Sequence, residues 1–215
     1  LDIFTATSND QQSTREDLFN LFPLHPGTAN LATHYATVVG SSSRSVFEFL
    51  GQNDSIREFL DSEEHFLNCD TITADYLWDY VLQVFQDDVT NYGAVTERYN
   101  SYKLQVSNEG EAYFAVFKGI LLLNAFNNVS GENNNGLVTP SEGNIHALFA
   151  GTRYDNEVDT ILQWFNEQGI IQRAPGGLYS VQFSALPSGE IEEKKTEMRN
   201  VQYRYTDQVL NFSDA

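Results

Sequence analysis

The run LVTPSEGNIHALFAGTRYDNEVDTILQWFNEQGIIQRAPGGLYSVQF, residues 137–183, carries a dense series of boundary signals. Thr139-Pro140-Ser141-Glu142 reads as a capping box with proline in the first turn, opening a helix through Ile145, Leu148 and Phe149 that Gly151 closes. Asp155 is the expected cap of a following helix, in which Val158, Ile161, Leu162 and Phe165 recur at helical spacing until Gly169 stops it. Ile170 to Arg173, the turn Ala174-Pro175-Gly176-Gly177, and Leu178 to Phe183 then read as a β-hairpin. Upstream, Ala112 to Phe126 is a strongly apolar helix, followed by the loop Asn127 to Gly136 and a short extended Leu137-Val138 segment.

Helix, short strand, helix, turn, helix, hairpin is the order of a winged helix, and residues 111–183 are assigned to one on that basis. The part before it predicts only helices. Residues 1–12 are polar and expected to be loosely held. Ser13 and Glu16 form a capping box for a short helix that Pro23 ends, and Pro26 suits the first position of a helix running to about Val39. Ser41 to Ser43 can cap Arg44 to Leu50, and Ser55 can cap Ile56 to Leu60. Between Ala74 and Val89, residues Tyr76, Leu77, Tyr80, Val81, Val84 and Phe85 form one broad apolar stripe, with Asp75 and Asp79 favouring its start. Gly93 is expected to interrupt, and a further helix covers about Val95 to Val106. The fold class is therefore mainly α: a helical lid-like bundle over 13–106, then a winged-helix domain with a small β-hairpin over 111–183, then a connecting helix and strand-like tail over 184–215.

At Leu21 to Leu50 the sequence resembles a known family. L-F-P-L-H-P-G-T-A-N-L, followed by S-S-S-R-S-V-F-E-F-L, is similar to the segment after the nucleotide-binding core of large P-loop ATPases of the BREX phage-defence type. The order of core, helical lid and winged helix is also that of AAA+ proteins of the origin-recognition type. The resemblance implies that Arg44 is the lid arginine sensing the γ-phosphate, and that Leu24, His25 and Pro26 shape the turn at the mouth of the lid. It implies ATP as the ligand of a parent protein, with no cofactor in this fragment itself, and other domains of the ATPase or defence proteins as partners. The chain has no G-x-x-x-x-G-K-[ST], so it reads as a piece of a longer polypeptide.

Charge and motif content narrow the function. The 215 residues hold 30 Asp plus Glu against 12 Lys plus Arg, a net of −18, which disfavours phosphate backbones and anionic membranes. A winged helix presents its third helix to DNA, and here that helix opens on Tyr154, Asp155, Asn156, Glu157 and Asp159. Across 111–183 three cations stand against seven carboxylates, leaving Arg153 and Arg173 as the residues that could touch nucleic acid. The alternative function, an acidic winged-helix DNA-associated regulator, rests on those two. No G-x-S-x-G, H-E-x-x-H or paired C-x-x-C occurs, and no enzyme activity is expected of the fragment.

Two metal patterns were weighed on the residues themselves. Gly131 to Glu142 matches several EF-hand positions, but the first ligand is Gly131 and Pro140 breaks the end, so a polar loop is expected instead. Cys69 lies four residues after His65 and beside Asp70 without a second pair among His25, His34 and His146, and is expected to be a small buried thiol near a helix start. No metal site is expected. With a single cysteine and no signal-peptide pattern, the expected setting is reducing and cytoplasmic.

Overall fold

The computed structural model describes residues 11–38, 44–129 and 136–183. The 1–10 stretch, Val39 to Ser43, residues 131–135 of the EF-hand-like loop and the expected 184–215 connection lie outside them. The described fold is mainly helical with one two-stranded antiparallel sheet.

Its first helices are short because capping residues and prolines punctuate them. Helix α1 (Gln11–Leu21) starts before Ser13, so the expected capping box falls within the helix, and it ends ahead of Pro23. Pro26 opens α2 (Pro26–Val38), as its fixed φ predicts. Then come α3 (Arg44–Gln52), α4 (Asp54–Asp61) and α5 (Glu63–Asn68). Asn53 caps α4, its side chain accepting from the Ser55 N–H at 3.0 Å, whereas Ser55 was expected in that role. Asn competes at least equally well for a cap and stands two residues earlier.

Helix α6 (Ala74–Asp87) buries Leu77, Trp78, Val81 and Phe85, so the buried stripe is turned toward Trp78 and leaves Val84 partly exposed. Helix α7 (Val89–Glu109) runs straight through Gly93, contrary to the expected break. Asp88 caps it, accepting from the Asn91 N–H, and Tyr92, Val95, Tyr99, Tyr102 and Val106 are buried along one face. A mid-helix glycine costs about 1 kcal/mol, while each of those burials is worth roughly 1.5–3 kcal/mol.

Gly110, at a φ of +139°, makes the link to α8 (Glu111–Val129). That helix is apolar all round and is accordingly enclosed all round: it packs on α6 and α7, and also on α2 and on the C-terminal elements. After it come a 3₁₀ turn (Gly136–Val138), α9 (Glu142–Phe149), a second 3₁₀ turn (Asp155–Glu157), α10 (Val158–Glu167), β1 (Ile171–Arg173) and β2 (Tyr179–Val181). The hairpin pairs Ile171 with Val181 and Arg173 with Tyr179, and Gly177 takes the positive φ of the turn at +80°.

Three local expectations shift here. Leu137-Val138 forms a 3₁₀ turn with Val138 buried, and the extended contact moves on to Ser141, which bridges Leu178, while Tyr179 N–H donates to Pro140 O at 2.7 Å. Ser141, not Thr139, caps α9 by accepting from the Asn144 N–H. The Asp155 carboxylate does not cap α10 either; it accepts from the Gly151 N–H at 2.8 Å, and regular helix begins only at Val158. Gly151 lies at a φ of +74°, which turns its amide back toward that carboxylate.

Candidate functional site: a polar seam between the two helical regions

Buried apolar residues from Leu24 to Val181 form one cluster, so the core crosses the boundary expected between 106 and 111. A line of charged and polar side chains runs beside it. Lys118 lies on α8, the most apolar helix among the described residues, and is buried with its Nζ 2.7 Å from Asp79 Oδ2 and 4.2 Å from the centre of the Phe114 ring. A buried ammonium needs a counter-charge, and the half-exposed Asp79 on α6 supplies it. One turn earlier, Asp75 accepts a hydrogen bond from the Thr73 hydroxyl. Burial pushes its carboxyl above the usual range, against the pull of Thr73 and Lys118 in the other direction. These groups line a groove of about 360 Å³ with Glu58, His65 and Glu111.

The seam continues around Arg153. This side chain pairs with Glu111, the first residue of α8, donates to Tyr154 Oη at 2.6 Å, and reaches within 4.0 Å of Asp70. Asp70 in turn lies 2.9 Å from His65 Nδ1, and the His65 ring stacks on Phe59 at 4.4 Å. A water-sized space of about 10 Å³ remains between Asp70, Thr71, Tyr76 and Arg153. Burial pushes the Tyr76 phenol up to about 12, with the Asp75 charge adding to it, and lifts Tyr154 further still. At the other end, His25 Nε2 donates to Ala150 O at 3.1 Å, tying the start of α2 to the turn after α9. Leu24 and Ile72 form a parallel bridge beside it.

The seam thus joins α5, Asp70 and α6 with α8 and the 150–154 turn through charge pairs that no single element could complete. Its chemistry is that of fixed complementary charge, since its lysine, arginine and imidazole each face a carboxylate.

The residues singled out from sequence fall in separate places. Arg44 is the first residue of α3, and its side chain lies outside the described ones. Arg153 is held in the seam. Arg173, at the end of β1, is 3.0 Å from Glu142 Oε2 and lies over the Tyr179 ring at 5.6 Å. Both candidate DNA contacts are therefore already paired with carboxylates. Cys69 is exposed and closes α5 in the left-handed region at a φ of 53°, so it is neither buried nor at a helix start. The thiol stays apart because His65 turns to Asp70 instead. Sequence reasoning passed over Lys118, Asp79 and Asp75 as functional residues. The available signal was a lysine inside the strongly apolar stretch Ala112 to Phe126, with two acids one turn apart at the start of another helix.

Comparison of the chain with protein-family models, with curated proteins and with solved structures gave no match. No helix among the described residues is long and apolar enough to cross a membrane.

Proposed function

We propose that this chain is a non-catalytic interaction and coupling module: a lid-like helical region joined to a winged-helix region of a large cytoplasmic P-loop ATPase, of the kind that serves phage defence. The observation that carries the coupling role is the seam, where Lys118 to Asp79 and Arg153 to Asp70 connect the two regions through buried or half-buried charge. A displacement of either region breaks those pairs, so each registers the position of the other. The winged-helix reading is supported by the order α8, α9, α10, hairpin, and by the Ser141 to Leu178 bridge, which takes the place of that fold's first short strand. ATP belongs in this reading to a core upstream, with Arg44 as the residue that would meet the γ-phosphate.

In the same reading the winged helix docks protein and not DNA. Arg153 and Arg173 are paired internally, and the turn leading into α10 and that helix's first turn carry Asp155, Glu157 and Asp159. Two measurements test the proposal. A Walker A motif upstream in the same open reading frame is required, and its absence ends the ATPase reading. Gel-shift titration with duplex DNA at low salt is expected to show no shift. A shift that Arg153→Ala and Arg173→Ala abolish would instead establish the DNA-associated regulator.

A further inference from the structure

The fold assembles a group of side chains that the sequence keeps seventeen residues apart. Glu142 and His146 are one turn apart on α9, and Asp159 lies in the first turn of α10. One ligand atom from each lies within 4.8 Å of the other two. His146 Nε2 and Asp159 Oδ1 are 3.0 Å apart. Two ligands of one zinc ion, each about 2.1 Å from it, stand about 3.0–3.4 Å from each other at right-angled or tetrahedral geometry. That pair is already at chelating distance.

We infer that Glu142, His146 and Asp159 form a site for one divalent transition-metal ion of the zinc class. The donor set argues for the class: an imidazole nitrogen with carboxylate oxygens favours zinc and its neighbours, while magnesium and calcium favour oxygen alone. The supports argue for preorganisation. Ile145, Leu148 and Phe149 anchor α9 in the core, and Val158, Ile161 and Leu162 anchor α10, so the ligands project from fixed helices. The side chains of Asp159 and His146 are 82% and 34% exposed, which leaves room for water to complete the coordination.

One cation is already present. Arg173 reaches Glu142 Oε2 at 3.0 Å, so an incoming ion either uses the other oxygen of that carboxylate or displaces the guanidinium. Metal binding therefore tightens α9 against α10, and where it displaces Arg173 it also loosens the hairpin's hold on α9. This goes beyond the coupling role and does not depend on it. It also departs from the expectation of no metal, because the spacing in sequence does not show that Asp159 folds back beside Glu142 and His146.

The test is calorimetric titration of zinc chloride into the whole chain in a non-chelating buffer, with a thermal melt alongside. One ion per chain and a raised melting midpoint are expected, since an ion held by the native state alone must stabilise it. His146→Ala and Asp159→Asn are each expected to weaken binding by roughly tenfold or more. Asp159 is exposed, so its variant keeps the fold even if the His146 variant does not. Cys69→Ser and magnesium chloride are the controls, the first binding zinc as the parent does and the second giving no heat. Absence of zinc binding, binding unchanged in Asp159→Asn, or binding lost in Cys69→Ser would each overturn the site.

Discussion

His25 shows how one residue links local chemistry to the behaviour of the fold. Its Nδ1 accepts from the Gly27 N–H at 3.1 Å, which makes it the cap of α2, and its Nε2 donates to Ala150 O. Both contacts require the neutral ring with hydrogen on Nε2, because a proton on Nδ1 would remove the acceptor. Burial is the main cause that holds its pKa below the ordinary imidazole value of 6.5, and the Ala150 carbonyl offsets this only in part. The unfolded chain therefore takes up a proton at a pH where the folded chain does not. Stability from this group is complete above 6.5 and is lost as pH falls below it, toward the lower folded value. Urea midpoints at pH 7.5 and 5.5 should show the loss. It should shrink in His25→Asn, whose side-chain oxygen can still cap α2 but does not titrate, and an undiminished loss would assign the effect to other groups.

At the scale of elements, close approach is what the sequence pattern conveys least. A Cβ at Gly27 would stand 2.9 Å from Leu148 Cδ2 and 3.1 Å from the Leu148 Cα, so α2 and α9 meet backbone to backbone there. Gly143, in the first turn of α9, has open space around its Cβ position. The two glycines should respond oppositely to alanine: Gly27→Ala loses about 1–3 kcal/mol through overpacking, and Gly143→Ala gains up to about 1 kcal/mol. Chemical denaturation of both variants checks the signs. The contrast also explains what was legible. Pro26, the Gly151 and Gly169 stops, and the hairpin around Pro175-Gly176-Gly177 are local signals, and they stand where expected. Asn53 and Ser141 cap where Ser55 and Thr139 were expected, and Asp155 turns to Gly151 instead of capping α10, because several polar residues compete within a few positions and tertiary contacts choose among them. The candidate site was legible only as isolated residues. Lys118 lies on α8 and Asp75 and Asp79 on α6, and nothing local tells which carboxylate an ammonium will meet once α8 is enclosed.

For the molecule as a whole, the decisive element is α8. Counted with the 111–183 region by its place in the chain, it buries Phe117, Ile120, Leu121 and Leu123 in a cluster that includes Trp78 and Phe85 of α6 and Tyr102 and Val106 of α7. The ring of Tyr99 on α7 lies 6.2 Å from Phe114 and 6.5 Å from Phe117, so the two regions share aromatic packing as well as charge pairs. Dividing the chain at Gly110 would expose one side of a helix that is apolar on every side, and each fully buried Phe or Leu returned to water costs about 1.5–3 kcal/mol. Several such residues exceed the few kcal/mol of margin a domain of this size ordinarily has. Neither region can therefore unfold while the other stays native. Scanning calorimetry is expected to give a single transition, with calorimetric and van't Hoff enthalpies equal. Two resolved transitions would show that 13–106 and 111–183 are independent domains. The seam would then be a surface contact between them and not the edge of a common core.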